Sequence, residues 1–512
     1  MSKKINRNIY RTAIIITFLA VNALILIGIA SVLRYLSTGA DRTTILHLRE
    51  EADLVYLPKI EWENLDNPGR PMEKQTLGEI QRDYLKSWYV RFNAYNTNNN
   101  YGIPDYYTDS ARVKLYRNVA LNKEHNVTLN KTTIKHHPAL DFYSADGKLV
   151  VFTDQNVLSY QEVYRNKLLV NKKRAVGSYK VLMLLEDGFW RVRHLVEIPA
   201  EEKIPILEKS TINDSQEKLI SEAKGLNYYP KDMPWDMFGD NFDIEVLQKD
   251  FKLIKEMGLN TLRIFIQYED FGAAMVQPEK LQKLRKTLNL MEEMELQAVV
   301  TLFDFYGNYE VNDWTLTHRH AEQIVTAFKD HQAILAWDIK NEPDLDFKSR
   351  GKEKVLSWLE EMIINIKKWD PNHMVTIGWS TPEAAVNLGD ELDFISFHYY
   401  RDIADFLPAY KELKEAHPTK KIMLQEYGVS SYSGVWNMFS SSPKKQAQYY
   451  EQMQKILAEE ELPFLFWTLY DFTDVPNSVV GRLPWHKSKQ KHFGCIDSDG
   501  KRKLAYKFLY QK

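Results

Sequence analysis

The chain of 512 residues has one cysteine, Cys495, so an intramolecular disulfide framework is excluded. A lone thiol of this kind reads as a small buried apolar group. Net charge is nearly absent as well. The 67 Lys and Arg stand against 69 Asp and Glu, a formal −2, and no nucleic-acid partner is implied. No glycine-rich phosphate loop follows a candidate strand, which removes the main support for a doubly wound nucleotide-binding sheet. The histidines at His318, His320 and His331 are too scattered for a metal site. No metal and no cofactor is therefore expected. With 44% hydrophobic and 27% charged residues the chain is globular in composition, and it is long enough for two or three domains.

One stretch lacks charge altogether. Thr12 to Leu33, TAIIITFLAVNALILIGIASVL, runs 22 residues without an ionisable side chain, enough to cross a hydrocarbon core as a helix. Lys3, Lys4, Arg7 and Arg11 precede it. The positive-inside rule makes residues 1–11 a cytoplasmic tail and 12–34 a single-pass transmembrane helix, with the remainder periplasmic or extracellular. A cleaved signal peptide is the competing reading, with Ser37-Thr38-Gly39-Ala40 as the small-residue site.

Residues 35–198 form the next unit. Leu77, Ile80, Tyr84 and Trp88 recur near helical spacing over 72–95. From 127 to 197 the runs become long, β-branched and aromatic, with hairpin turns signalled at Asp146-Gly147 and Asp187-Gly188. A helix followed by an antiparallel meander is an α+β arrangement, and it resembles the cone-like nuclear-transport-factor-2-like fold. No catalytic constellation stands out in it, and a structural or docking role is expected. Residues 199–222 read as a linker.

From 223 to 512 the period changes. Short apolar runs at 225–229, 260–266, 298–304, 334–340, 374–378, 392–398, 421–426 and 463–469 alternate with amphipathic segments such as 243–257, 278–295, 317–330, 352–369 and 443–460. A last helical pattern, KRKLAYKFLY, follows. This is the pattern of an α/β chain, a (β/α)₈ barrel, whose active site lies at the C-terminal ends of the strands. Those ends carry Asn227-Tyr228-Tyr229, Arg263, Asp304-Phe305-Tyr306, Asn341-Glu342, His398-Tyr399-Tyr400, Gln425-Glu426-Tyr427-Gly428 and Trp467. Two glutamates thus face each other across one mouth from the fourth and seventh strands. A pair of carboxyls flanking a bond is what glycoside hydrolysis needs: one protonates the leaving oxygen, the other attacks or activates water.

WDIKNEPD, DFISFHYY, LQEYG and FWTLYDF, in that order, resemble clan A glycoside hydrolases, retaining enzymes on a (β/α)₈ barrel. The opening GLNYYPKDMPWDMFGDNFDIEVLQKDFKLIKEMGLNTLRIF is also similar to the β-galactosidase and β-mannosidase type and to cellulase-like relatives. The resemblance implies Glu342 as general acid/base and Glu426 as nucleophile, their carboxyls roughly 5–5.5 Å apart. It further implies Asn341 on the sugar 2-hydroxyl, Arg263 and Tyr400 beside Glu426, His398 between the carboxylates and Trp467 under the sugar. Asp304 is a candidate sugar hydrogen-bonder, as are Tyr306, Asp471 and Asp474. Trp235, Trp314, Trp379, Trp436 and Trp485 are candidate stacking surfaces. The pattern breaks at the third strand, where relatives often place a His and this chain has Asp304-Phe305-Tyr306.

The function expected is a membrane-anchored retaining β-glycoside hydrolase acting on a β-linked glucan- or mannan-like polysaccharide. Two alternatives stay open: a transglycosylase using the same residues, and a non-catalytic carbohydrate-binding scaffold. The expected partners are an oligo- or polysaccharide, the membrane through the N-terminal helix, and a polysaccharide synthase or export complex.

Overall fold

The computed structural model describes residues 7–37, 55–67, 70–434 and 441–511. The first six residues of the expected cytoplasmic tail, positions 38–40 of the proposed cleavage site, and Trp436 lie outside the described residues. Helix α1 (Arg7–Ser37) contains the apolar span Ile14–Val32, with mean hydropathy 2.5 and none of it buried. By length and composition it can cross a membrane, as an anchor or as a signal sequence.

Strand β1 (Lys59–Ile60) leads to three helices, α2 (Lys74–Thr97), α3 (Ile103–Tyr106) and α4 (Asp109–Glu124). Four long strands follow: β2 (Val127–Tyr143), β3 (Leu149–Arg165), β4 (Leu168–Glu186) and β5 (Phe189–Ile198). They form one sheet in the order β1-β2-β3-β4-β5, with β1 parallel to β2 and the other pairs antiparallel. The β4–β5 turn works because Asp187 (φ 52°) and Gly188 (φ 83°) both take left-handed backbone, as a two-residue primed turn demands. The helices cover one face, burying Tyr84, Trp88, Phe152, Val181 and Trp190. Inside that core Asp154 accepts from Tyr84 Oη (2.6 Å) and pairs with His136 Nδ1 (2.6 Å), whose Nε2 faces Thr133 Oγ1 at 2.8 Å. The layout is that of a nucleophile relay, but Thr133, His136 and Asp154 are all 0% exposed. It therefore satisfies buried polar groups.

The other face of the sheet lies on the barrel. Register aligns Thr132, Tyr160 and Arg174 across β2, β3 and β4. Tyr160 stacks on Trp314 (centroids 4.3 Å apart), Arg174 pairs with Glu361, and Lys172 Nζ donates to Ser357 Oγ at 3.1 Å.

The segment expected as linker ends in helix α5 (Asp214–Ser221), started by a capping box between Asn213 and Gln216. Its Ile220 packs with Ala223, Val299, Leu335, Met374, Phe394, Met423 and Leu465. These lie near the N-terminal ends of the barrel strands, so α5 plugs the barrel floor. The barrel then runs β6 (Lys224–Asn227), α6 (Ile244–Glu256), β7 (Thr261–Gln267), α7 (Pro278–Glu293), β8 (Gln297–Asp304), α8 (Trp314–Phe328), β9 (Ile334–Asn341), α9 (Lys352–Trp369), β10 (Met374–Trp379), β11 (Ile395–Tyr399), α10 (Phe406–Ala416), β12 (Ile422–Tyr427), α11 (Pro443–Glu459) and β13 (Phe464–Phe466). The eight parallel strands close as β10-β11-β12-β13-β6-β7-β8-β9, which is a (β/α)₈ barrel. Between β10 and β11 the helical layer shrinks to one turn, Ala384–Val386. Two short helices, α12 (Asn477–Val480) and α13 (Pro484–Gln490), sit in the segment after β13, and α14 (Tyr506–Leu509) packs against α11. The expected long last helix is cut to this single turn because Lys503 N donates instead to Cys495 O (2.9 Å).

Cys495 is fully buried, its Sγ lies 3.4 Å from Leu469 O, and burial pushes its thiol up to about 12. The thiolate is the reactive form. The native protein at pH 8 is thus expected to leave Ellman's reagent unreacted and to release one equivalent of chromophore only after guanidinium unfolding. Fast labelling of the native protein would contradict the packing.

Candidate active site

Arg263 on β7 is 0% exposed and organises the barrel mouth. Its Nε donates to Thr301 Oγ1 (3.0 Å) and Asp338 Oδ2 (3.0 Å). One terminal nitrogen donates to Asp338 Oδ2 (2.7 Å) and Asn341 Oδ1 (3.0 Å). The other donates to Asn227 Oδ1 (3.2 Å) and Glu426 Oε2 (3.0 Å) and lies 3.4 Å from His398 Nε2. Asp338 accepts in addition from Thr301 Oγ1 (2.7 Å) and the Gly378 N–H (2.8 Å). Gly378 is required here. A Cβ on it would stand 2.7 Å from the Arg263 guanidinium and 2.5 Å from Gln425 Oε1.

Glu426, on β12, takes Tyr400 Oη on one oxygen (2.5 Å) and Arg263 on the other (3.0 Å). Glu342 follows the last residue of β9 and holds left-handed backbone, φ 49° and ψ 55°, immediately before Pro343. A non-glycine residue there costs of order 1–3 kcal/mol. The conformation is kept by the Glu342 N–H donating to Gly378 O at 2.7 Å, and it turns the side chain to the barrel mouth. Glu342 Oε1 lies 3.0 Å from His398 Nδ1, which is 3.7 Å from Glu426 Oε2. Donor atoms of Glu342, His398 and Glu426 all fall within 4.8 Å of one another. Burial opposes the charged form of His398, but the Glu426 charge and the Glu342 hydrogen bond outweigh it, and its pKa is raised. Burial and the Glu426 charge push the Tyr400 hydroxyl well above the usual phenol value, so it remains a donor.

Those three donor atoms could hold a metal ion by spacing alone. The Arg263 guanidinium, 3.0 Å from Glu426 and 3.4 Å from His398 Nε2, makes the site a poor one for a divalent cation.

Above these groups opens a pocket of about 400 Å³ lined by Asp304, Asn341, Glu342, Tyr400, Glu426 and Trp467 among others. Of the expected site residues, Arg263 and His398 lie beneath it and the other six line it. Tyr229 is stacked on Phe265 (centroids 5.1 Å apart) and donates to Asp304 Oδ2 at 3.3 Å. Trp467 and Trp235 stand beside each other in the same wall, 6.0 Å between centroids. The remaining candidates lie elsewhere. Trp314 and Trp379 are 0% exposed in the core, and Tyr306 stacks on Trp358. Asp471 is paired with Lys503 (2.8 Å) and Asp474 with Lys491 (3.5 Å). Sequence reasoning missed Asp338, Thr301 and Gly378 below the pocket and His486, Lys489 and Phe493 in its wall. Asp338 carried a signal, a carboxylate inside an apolar strand; the wall residues carried none.

The family model Cellulase (glycosyl hydrolase family 5) matches residues 229–473, from just after β6 to just beyond β13. Mannan endo-1,4-beta-mannosidase 5 of Solanum lycopersicum is 27% identical over 207 residues, 36% of this chain and 46% of that protein. Mannan endo-1,4-beta-mannosidase 3 of Arabidopsis thaliana is 26% identical over 179 residues, 29% of this chain and 40% of that protein. The Homo sapiens beta-glucuronidase is 24% identical over 273 residues, 48% of this chain and 38% of that protein. The chain spans less than half the length of these curated relatives. The family match, these relatives and the closed parallel barrel together support a clan A glycoside hydrolase.

The buried ion network yields its own expectation. Arg263→Met leaves Asp338 without a counter-charge, which costs about 3–5 kcal/mol. Urea unfolding should show a loss of that size, and adding Asp338→Asn should return part of it. A double variant no more stable than the single one would mean that the charge of Asp338 is not what Arg263 offsets.

Proposed function

We propose that the barrel is a retaining β-glycoside hydrolase acting on a β-linked glucan- or mannan-like polysaccharide, with Glu426 as nucleophile and Glu342 as general acid/base. The observation that carries this is the unequal treatment of two carboxyls whose nearest oxygens lie within 4.8 Å. Glu426 has an O–H donor on one oxygen and a guanidinium on the other, whereas Glu342 meets His398 and the pocket. A spacing of this order is nearer the short separation of retaining enzymes than the longer one that inverting enzymes keep for an intervening water.

In this reading Glu426 attacks C1 as Glu342 gives its proton to the departing glycosidic oxygen, so the C1–O bond breaks and a glycosyl ester forms. Glu342, now a carboxylate, takes a proton from water. That water attacks C1, the ester bond breaks, and Glu426 returns as a carboxylate beneath Tyr400 and Arg263. Asn341 hydrogen-bonds the 2-hydroxyl, a contact that strengthens in the transition state. Trp467 floors the sugar, Asp304 binds a hydroxyl, and His398 holds Glu342 in place between turns.

The family match and the mannosidase relatives support the substrate class. The uncharged span behind four basic residues supports residues 12–34 as an uncleaved anchor with the barrel outside. In the same reading residues 35–198 form a nuclear-transport-factor-2-like domain and 199–222 a connecting segment ahead of the barrel from 223. This architecture suits work beside a polysaccharide synthase or export complex.

Product anomers followed by NMR should show the β form first. Glu426→Gln should lower turnover by about 10³-fold or more while the fold stays intact. Glu342→Ala should lose activity on substrates with poor leaving groups and regain it with azide, giving a β-azide. An α-azide from Glu426→Ala, with no rescue of Glu342→Ala, would exchange the two roles.

A further inference from the structure

We infer that the polysaccharide cleaved in this pocket carries an anionic substituent, a carboxylate or a sulfate ester, met by Lys489 at or next to the scissile bond. The inference rests on the hydrolase reading of the pocket and names the class of its substrate.

Lys489 and His486 line the same cavity as Glu342, Glu426 and Asn341. Both stand on α13, in the segment after β13. Between Asp474 and Asp497 that segment has Arg482, Lys487, Lys489 and Lys491 with His486 and His492, and no Asp or Glu. Lys491 takes Asp474 and the Thr473 carbonyl, and the adjoining Lys503 takes Asp471. Lys489 makes no ion pair among the described residues.

The backbone around it is fixed. Ser430 Oγ donates to the Lys489 carbonyl (2.7 Å), the Phe472 N–H to the Lys491 carbonyl (3.0 Å) and the Ser431 N–H to the His492 carbonyl (2.9 Å). A lysine on a fixed backbone in the wall of this pocket is placed for recognition. Of the pocket's carboxyls, Glu426 is already offset by Arg263 and Glu342 carries the proton it gives away, so Lys489 is a cation in the wall beyond those the reacting groups need, which favours an anionic sugar over a neutral one. Lys489 belongs to the wall built by α13 and not to a strand end, so a substituent bound by it is held by a different part of the pocket from the reacting glutamates.

The test uses β-1,4-linked gluco- and manno-oligosaccharides in three matched forms: neutral, C6-oxidised to the uronate, and 6-O-sulfated. Binding is measured by calorimetry on the Glu426→Gln protein with and without Lys489→Ala, and reducing-end release on the wild type. One charged form should bind about tenfold more tightly than its neutral match, and Lys489→Ala should erase that difference while leaving neutral binding unchanged. The uronate and sulfate arms tell the two sources of charge apart. Equal binding of charged and neutral forms, binding to neither, or a Lys489→Ala effect alike on both, overturns the inference. Lys489-dependent binding of the charged form by the Glu426→Gln protein, with no reducing ends released by the wild type, supports the inference and overturns the hydrolase reading instead.

Discussion

One buried cation constrains the whole barrel mouth. From β7, Arg263 touches side chains of β6, β8, β9, β11 and β12, and through Asp338 it reaches the backbone of β10 at Gly378. The ring closes at the eighth strand, where the Asn227 amide reaches Leu465 O and Phe466 O (both 3.4 Å) and Thr468 Oγ1, just past the strand, donates to Asn227 O (2.6 Å). A guanidinium out of water is tolerated only when its donors are met with good geometry. Its planar fork meets two acids at once, which a lysine ammonium cannot reproduce. The consequence for chemistry is direct: one of those acids is Glu426, so the group that keeps the barrel centre neutral also fixes the orientation of a carboxylate at its rim.

Glu342 is positioned by a different device. It stands just past the end of β9, in left-handed backbone, with Pro343 opening the next turn. A strand carried straight on would point this residue along the barrel wall; the reversal at Glu342 brings the carboxyl back over the mouth. The two glutamates thus differ in stiffness as well as in donors. Glu426 is clamped within a strand by two donors, while Glu342 hangs from a turn with His398 beside it. A nucleophile benefits from the first arrangement, and an acid that must give and retake a proton benefits from the second.

The barrel was legible because buried parallel strands read as short apolar runs, and their boundaries fell within a few residues of those expected. Departures have local causes. The sixth strand starts at Ile395 because Asp393 turns its carboxylate onto the Val375 N–H (2.6 Å) and Lys367 (2.8 Å). The eighth ends at Phe466, with the Trp467 N–H still bonded to Tyr427 O at the end of β12 (2.8 Å). Pro382, Asn387 and Gly389 break the stretch where a fifth barrel helix would run. The capping box at Asn213 and Gln216 was present in the sequence, but α5 is only eight residues long and reads as linker. Of the candidate site, the two glutamates and their neighbours were expected from strand-end positions and the family resemblance together, and they lie at or beneath one pocket. Asp338 stood out as a carboxylate inside an apolar strand, but nothing in the sequence names its partner, an arginine two strands away.

What stayed illegible follows from how this fold divides labour. Strand ends are fixed by the barrel, so a residue placed there can be assigned by counting. The far wall of the pocket comes instead from α12, α13 and Phe493, whose approach depends on tertiary hydrogen bonds to residues about sixty positions earlier in the chain, such as Ser430 to Lys489 and Ser431 to His492. No periodicity encodes that return. On the proposed reading, chemistry is carried by the rigid part and selection by the returning segment, and the two can vary independently. The accessory sheet adds to the rigid part. It docks on α8 and on α9, the helices that follow β8 and β9, through Tyr160 on Trp314 and Arg174 on Glu361. The side of the barrel that carries Glu342 is thereby braced from outside, while the wall with Lys489 lies in a separate segment fixed by its own backbone contacts.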